Sequence, residues 1–80
     1  MTEPANPELL DLTGLKCPLP ALYARRALER GGPGTVIEVL SDDPMAVVDL
    51  PHMCVQEGFA VEHTEKAGAA IRMVIRRPPH

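Results

Sequence analysis

The sequence predicts a small α/β domain of the α+β kind, a two-layer sandwich in the order βαβαββ, with a mixed four-stranded sheet and two helices on one face. Three observations carry that prediction. Two stretches of helical period, 18–30 and 45–57, alternate with short runs of strand character. Breakers stop both helices, Gly31-Gly32-Pro33-Gly34 after the first and Gly58 after the second. The last two strand-like runs are separated only by a turn near Lys66-Ala67-Gly68, which is hairpin spacing.

Residues 1–7 contain two prolines and no periodic pattern, and are expected to form a mobile tail. A single domain then spans 8–77, and residues 78–80 form a second tail because Pro78-Pro79 forbids further pairing. Leu10 and Leu12 alternate with Asp11 as in a short strand with one face on a core, and Gly14 supplies the turn that follows. Next comes Lys16-Cys17-Pro18-Leu19-Pro20. Proline at 18 drives Cys17 into extended backbone, the conformation of an N-cap residue, and itself suits the first helical position. Cys17 is therefore expected at the N-cap and Pro20 at the third helical position. Pro20, Ala21, Ala24, Ala27 and Leu28 fall on one stripe, whose small side chains let the helix lie close on a sheet. Leu19, Leu22, Tyr23 and Arg26 fall away from it and mark a candidate docking surface; scattered surface apolar groups and solvated helix charges are the plainer account of the same residues.

Thr35-Val36-Ile37-Glu38-Val39-Leu40 is apolar at most positions of both parities, as expected of a central strand. Strand, helix and strand in succession imply a parallel pair joined by a right-handed crossover, so Ser41-Asp42-Asp43-Pro44 arrives at the same sheet edge as Cys17. Asp43 before Pro44 has the signature of an N-cap, and Asp42 is freer. Pro51 is expected to break the second helix near Leu50, with Val47, Leu50 and Cys54 sharing its buried face. Phe59 and Val61 open a strand that turns back into the last one, where Ile71, Met73 and Ile75 face the core.

The chemistry concentrates at Cys17. The positive end of a helix dipole, the free amides of Leu19 and Ala21, and the neighbouring Lys16 all favour thiolate over thiol. Proline at position 20 excludes the dithiol C-x-x-C motif, and His52, His63 and His80 show no pairing with a cysteine nucleophile. An activated thiol without partners suits carrying a group on sulfur better than cleaving a substrate. A buried, inert helix cap stands beside it as the alternative, which would leave the protein a non-enzymatic interaction or regulatory module. Cys54 reads as a small core residue. No C-x-x-C or H-x-x-x-H spacing supports a metal site.

Composition sets limits of its own. Eighty residues allow one modest core. A formal charge of −3 and an aromatic content of 2% argue against nucleic acid as a direct ligand. No apolar run reaches membrane-spanning length, and the N-terminus lacks the basic and apolar regions of a secretory signal, so a cytoplasmic setting with two free thiols is expected.

Asp11-Leu12-x-Gly14-Leu15-x-Cys17-Pro18-x-Pro20, followed by Ser41-Asp42-Asp43-Pro44, Val48-Asp49-Leu50-Pro51-x-x-Cys54, Glu57-Gly58-Phe59 and Ile71 to Arg76, resembles the TusA/SirA/YedF sulfur-carrier family from about Leu9 to Arg77. The resemblance implies the same two-layer fold and a persulfide on Cys17, with no cofactor beyond that covalent sulfur. It implies a stoichiometric sulfurtransferase role, in which a cysteine desulfurase or rhodanese-type donor loads the sulfur and a downstream acceptor thiol removes it. Lys16, Pro18, Pro20, Asp42 and Asp43 would shape the site. A carboxylate near Cys17 would oppose thiolate formation, yet is able to move protons during transfer. End uses in the family range from tRNA thiolation and cofactor synthesis to sulfur oxidation.

Overall fold

The computed structural model describes residues 8–79; the tail expected over 1–7 and the terminal His80 lie outside the described residues. The elements are β1 (Glu8–Asp11), α1 (Leu19–Gly31), β2 (Val36–Ser41), α2 (Ala46–Glu57), β3 (Ala60–Ala67) and β4 (Ala70–Arg76), the predicted order. The strands form one four-stranded sheet in the order β1-β2-β4-β3. β1 and β2 are parallel, with Leu10 opposite Val39, and β4 runs antiparallel to both β2 and β3. β2 and β4 therefore hold the centre, as the apolar content of 35–40 requires.

Alternation decides which side of the sheet the helices cover. Ile37, Val39 and Ser41 of β2 are buried at every second position, and so are Ile71, Met73 and Ile75 of β4. Register sets Ile37 opposite Ile75 and Val39 opposite Met73, which makes one continuous apolar surface. α1 lays Pro20, Ala24, Ala27 and Leu28 on it, and α2 adds Ala46, Leu50, Met53 and Cys54. The other face of the sheet is polar in part: Arg72 bridges Glu38 and Glu65, and Arg76 pairs with Glu62. Glu38 is half-buried and the other partners are exposed, and exposed pairs of this kind add little stability.

The helix ends follow from glycine. Gly58 adopts φ 79°, and its N–H donates to the carbonyl of Cys54, closing α2 in a left-handed cap. Gly31 has a different reason: a Cβ there would meet Thr35 Oγ1 at 2.4 Å, so the turn back into β2 needs a residue without a side chain.

The second helix departs from expectation. α2 runs unbroken through Pro51, from Ala46 to Glu57. Proline costs one backbone hydrogen bond and a local clash, about 3 kcal/mol in a helix interior. The flanking Leu50, Met53 and Cys54 recover that cost by entering the core together, which a break at Leu50 would prevent. Continuity also rotates the buried face. Val47 is exposed, and Ala46 and Met53 take the place expected for it.

Leu28 is fully buried at the centre of the α1 contact with the sheet. Leu28→Ala should lower unfolding free energy by about 2–5 kcal/mol, measured by denaturant titration with the slope unchanged. For a domain of this size that is a large share of total stability.

Candidate functional site

Parallel pairing of β1 and β2 brings the chain segments that leave them side by side, and Leu12 N–H extends the pairing to Leu40 O at 2.8 Å. The two loops are neighbours, as the topology predicted, and two acids lock them together. Asp42 Oδ1 accepts from Gly14 N–H at 2.9 Å. Asp43 Oδ2 accepts from Cys17 N–H at 2.5 Å, while its Oδ1 accepts from Met45 N–H at 3.3 Å. Asp43 is buried, and its own N–H donates to Ser41 Oγ at 3.2 Å. Asp42, expected to be the freer acid, is thus engaged by the cysteine loop.

Several local expectations need correction. α1 starts at Leu19, so Pro18 and not Cys17 occupies the N-cap, with no side-chain cap bond, and Pro20 is the second helical residue. The Cys17–Pro18 peptide is cis. Leu19 N–H donates to Lys16 O at 2.8 Å, closing a turn around Cys17 rather than pointing at its sulfur. Pro20 is fully buried and packs in the core. Asp43 is likewise not the N-cap of α2. Met45 takes that position, and Asp43 supports the turn before it by accepting Met45 N–H with its side chain and Ala46 N–H, at 2.9 Å, with its carbonyl.

Cys17 is exposed and Cys54 is buried, and both are free. Cys17 sits at the mouth of a cleft between the helices, lined with Pro18, Ala21, Leu22, Asp49 and His52. The expected activation of the thiol does not hold. Its pKa is raised, first by a hydrogen bond to the Asp49 carboxylate, then by desolvation and by the negative charges of Asp49 and Asp43. The helix end lies two residues away and is too weak to oppose two carboxylates. Burial pushes the Cys54 thiol up to about 11, in keeping with an inert core position.

The proposed docking residues stand where expected. Leu19, Leu22 and Tyr23 are 40%, 47% and 46% exposed and, with Arg25, Arg26 and Glu29, line a shallow hollow on the outer side of α1. Arg25 also reaches Glu57 at 3.7 Å, tying the two helices across the cleft. Asp49 and His52 are the functional candidates that sequence reasoning missed. Their signal was present: on one unbroken helix, positions 49, 52, 53 and 56 share a face. The presumed break at Leu50 concealed it.

Among the described residues no group of three or more His, Cys, Asp or Glu is placed to hold a metal ion, and no helix is long and apolar enough to cross a membrane.

A two-layer sandwich that presents one of its two thiols at the first strand-to-helix turn defines a small domain with a single surface thiol. The crystal structure of a SirA-like protein from Desulfitobacterium hafniense superposes with a TM-score of 0.77 at 31% identity, covering 88% of this chain and 96% of that one. The chain belongs to the family described as sulfurtransferase TusA, whose model matches residues 8–77. A protein of Neisseria meningitidis serogroup A is 38% identical over 71 residues, which is 89% of this chain and 96% of its own. The sulfur carrier protein TusA of Pseudomonas paraeruginosa is 33% identical over 78 residues, 96% of this chain and 98% of its own.

Iodoacetamide should label Cys17 of the folded protein well before Cys54, and mapping the adduct by peptide mass checks this. Faster labelling of Cys54 would reverse the two assignments. A second expectation concerns alkaline stability. Cys54 keeps its proton in the native state up to about 11, against 9.0 for an unperturbed thiol, so its contribution is complete below pH 9. Between those values the unfolded chain releases a proton that the native state retains, and stability falls as pH rises. Denaturation series at pH 8, 9 and 10 should show a smaller decline in Cys54→Ala than in the parent protein.

Proposed function

We propose that this protein is a sulfur carrier that accepts sulfane sulfur as a persulfide on Cys17 and passes it to a downstream acceptor thiol. The observation that carries the reading is the contrast between its two thiols. One is held at the surface by a backbone hydrogen bond to Asp43, beside a cleft, and the other is sealed in the core. The chain turns over no substrate alone. It acts as a stoichiometric sulfurtransferase between a donor, of the cysteine desulfurase or rhodanese type, and an acceptor, and it needs no cofactor beyond the sulfur it carries.

The raised pKa of Cys17 suits a carrier in a definite way. A thiol kept protonated is a slow nucleophile towards incidental electrophiles. As the leaving group of a persulfide it also departs slowly, so the cargo is retained against stray thiols. Leu22 lines both the cleft and the neighbouring hollow of Leu19, Tyr23 and Arg26, and this continuity supports docking of the donor or acceptor over the exposed residues. Free thiols of this kind persist in the reducing cytoplasm, the proposed location.

Incubation with a cysteine desulfurase and cysteine should add one sulfur atom to the intact mass, removable by dithiothreitol. The addition should be absent from Cys17→Ser and present in Cys54→Ala. No mass change in the parent protein would overturn the carrier reading and favour an interaction module.

A further inference from the structure

The acids around Cys17 are not equivalent. Asp42 is spent on Gly14 N–H, and Asp43 on the amides of Cys17 and Met45. Asp49 of α2 lines the same cleft as Cys17, and of the acids nearby it weighs most on the Cys17 thiol, holding its pKa up. Its Oδ2 is buried and has no hydrogen-bond partner among the described residues. A buried carboxylate oxygen without a donor is costly to keep and calls for an explanation. The other charged groups near the cleft are placed differently: Arg25 of α1 is engaged by Glu29 at 3.9 Å and by Glu57 of α2 at 3.7 Å, His52 lies exposed along the same wall, and Lys16 is exposed in the preceding loop.

We propose that Asp49 is the proton acceptor and donor for the Cys17 sulfur, taking the thiol proton as sulfur is loaded and returning it as sulfur leaves. The inference rests on the carrier reading above and assigns the acid–base group of that site. In loading, the Asp49 carboxylate takes the proton of Cys17 Sγ–H while Sγ attacks the outer sulfur of a donor persulfide. The new Sγ–S bond forms, the donor's S–S bond breaks, and its electron pair leaves on the donor thiolate. Cys17 is oxidised to the persulfide and the donor is reduced to the thiol level. In unloading, an acceptor thiolate attacks the outer sulfur, the Sγ–S bond breaks, and its electron pair returns to Sγ. There it meets the proton held by Asp49, regenerating thiol and carboxylate. This proton return resolves the difficulty of a sulfur whose thiolate is disfavoured having to act as leaving group.

The test uses glutathione persulfide as donor and the isosteric Asp49→Asn variant, with loading followed by intact mass and thiolate formation followed by iodoacetamide kinetics across pH. Removing the carboxylate removes both the hydrogen-bond acceptor and the charge that favour the thiol. Alkylation of Cys17 near neutral pH should therefore become faster in Asp49→Asn, while loading slows by about a hundredfold, the low end of what a positioned acid or base contributes. Asp49→Glu should recover part of the loading rate. This opposite movement of the two rates is what a merely structural role would not produce. Loading by Asp49→Asn that matches the parent, or that rises in step with alkylation, would overturn the assignment while leaving the carrier reading intact. A parent protein that takes up no sulfur would instead sink the carrier reading, and this inference with it. Should Asp49→Asn not fold, by circular dichroism, the decision passes to the parent protein: a normal solvent isotope effect on loading is expected, and its absence overturns the proposal.

Discussion

Asp43 joins three elements that would otherwise meet only loosely, through its carboxylate, its carbonyl and its amide. Its side chain accepts the amides of Cys17 and Met45, its carbonyl accepts Ala46 N–H, and its own amide is held by Ser41 at the end of β2. The chain entering α1, the chain entering α2 and the central strand therefore share one buried group. Hydrogen bonds to a carboxylate are among the stronger ones available, and two such bonds, with the carbonyl and amide bonds of the same residue, substitute for the packing that a small domain lacks there. Placement of the sulfur is a consequence of that junction: the turn carrying Cys17 is fixed by its backbone, which leaves the side chain free to present its sulfur.

The same junction sets the electrostatics. A carboxylate that fixes the Cys17 backbone cannot help lending negative charge to its surroundings, and Asp49 adds more from the facing helix. Dithiol oxidoreductases need the opposite environment, since their chemistry depends on a ready thiolate. A protein that must hold sulfur between two encounters has other requirements, and restraint at the sulfur meets them.

Most of the architecture was legible because it rests on periodicity and chain punctuation. The alternation in 71–76, the small-residue stripe of α1 and the breakers at 31–34 and 58 each have one physical reading, and together they leave one topology. The neighbourhood of Cys17 with Asp42 and Asp43 was legible for the same reason, since parallel strands deliver their following loops to one edge. Local rules failed where two of them competed. Pro51 opposes helix, yet the burial of Leu50, Met53 and Cys54 outweighs it. Pro18 and Pro20 both favour the start of a helix, and the chain resolved this by beginning one residue later, with Pro20 in the core. The thiol's ionisation was misjudged because helix-end effects are visible in sequence, whereas a carboxylate arriving from another helix is a tertiary fact.

β3 occupies the outer edge of the sheet opposite β1, every one of its residues is exposed, and its pairing with β4 shifts register between Val61 and His63. Such a strand opens by local fraying, without disturbing the core, so its amides exchange with solvent hydrogen readily. Those of β2, bonded on both sides and covered by α1, exchange only when the whole domain opens. Cys17 is anchored to the β2 end of this gradient and not to the β3 end. The molecule thus breathes along the margin farthest from its sulfur, and the motions that a domain of this size cannot suppress are kept away from the atom it must hold still.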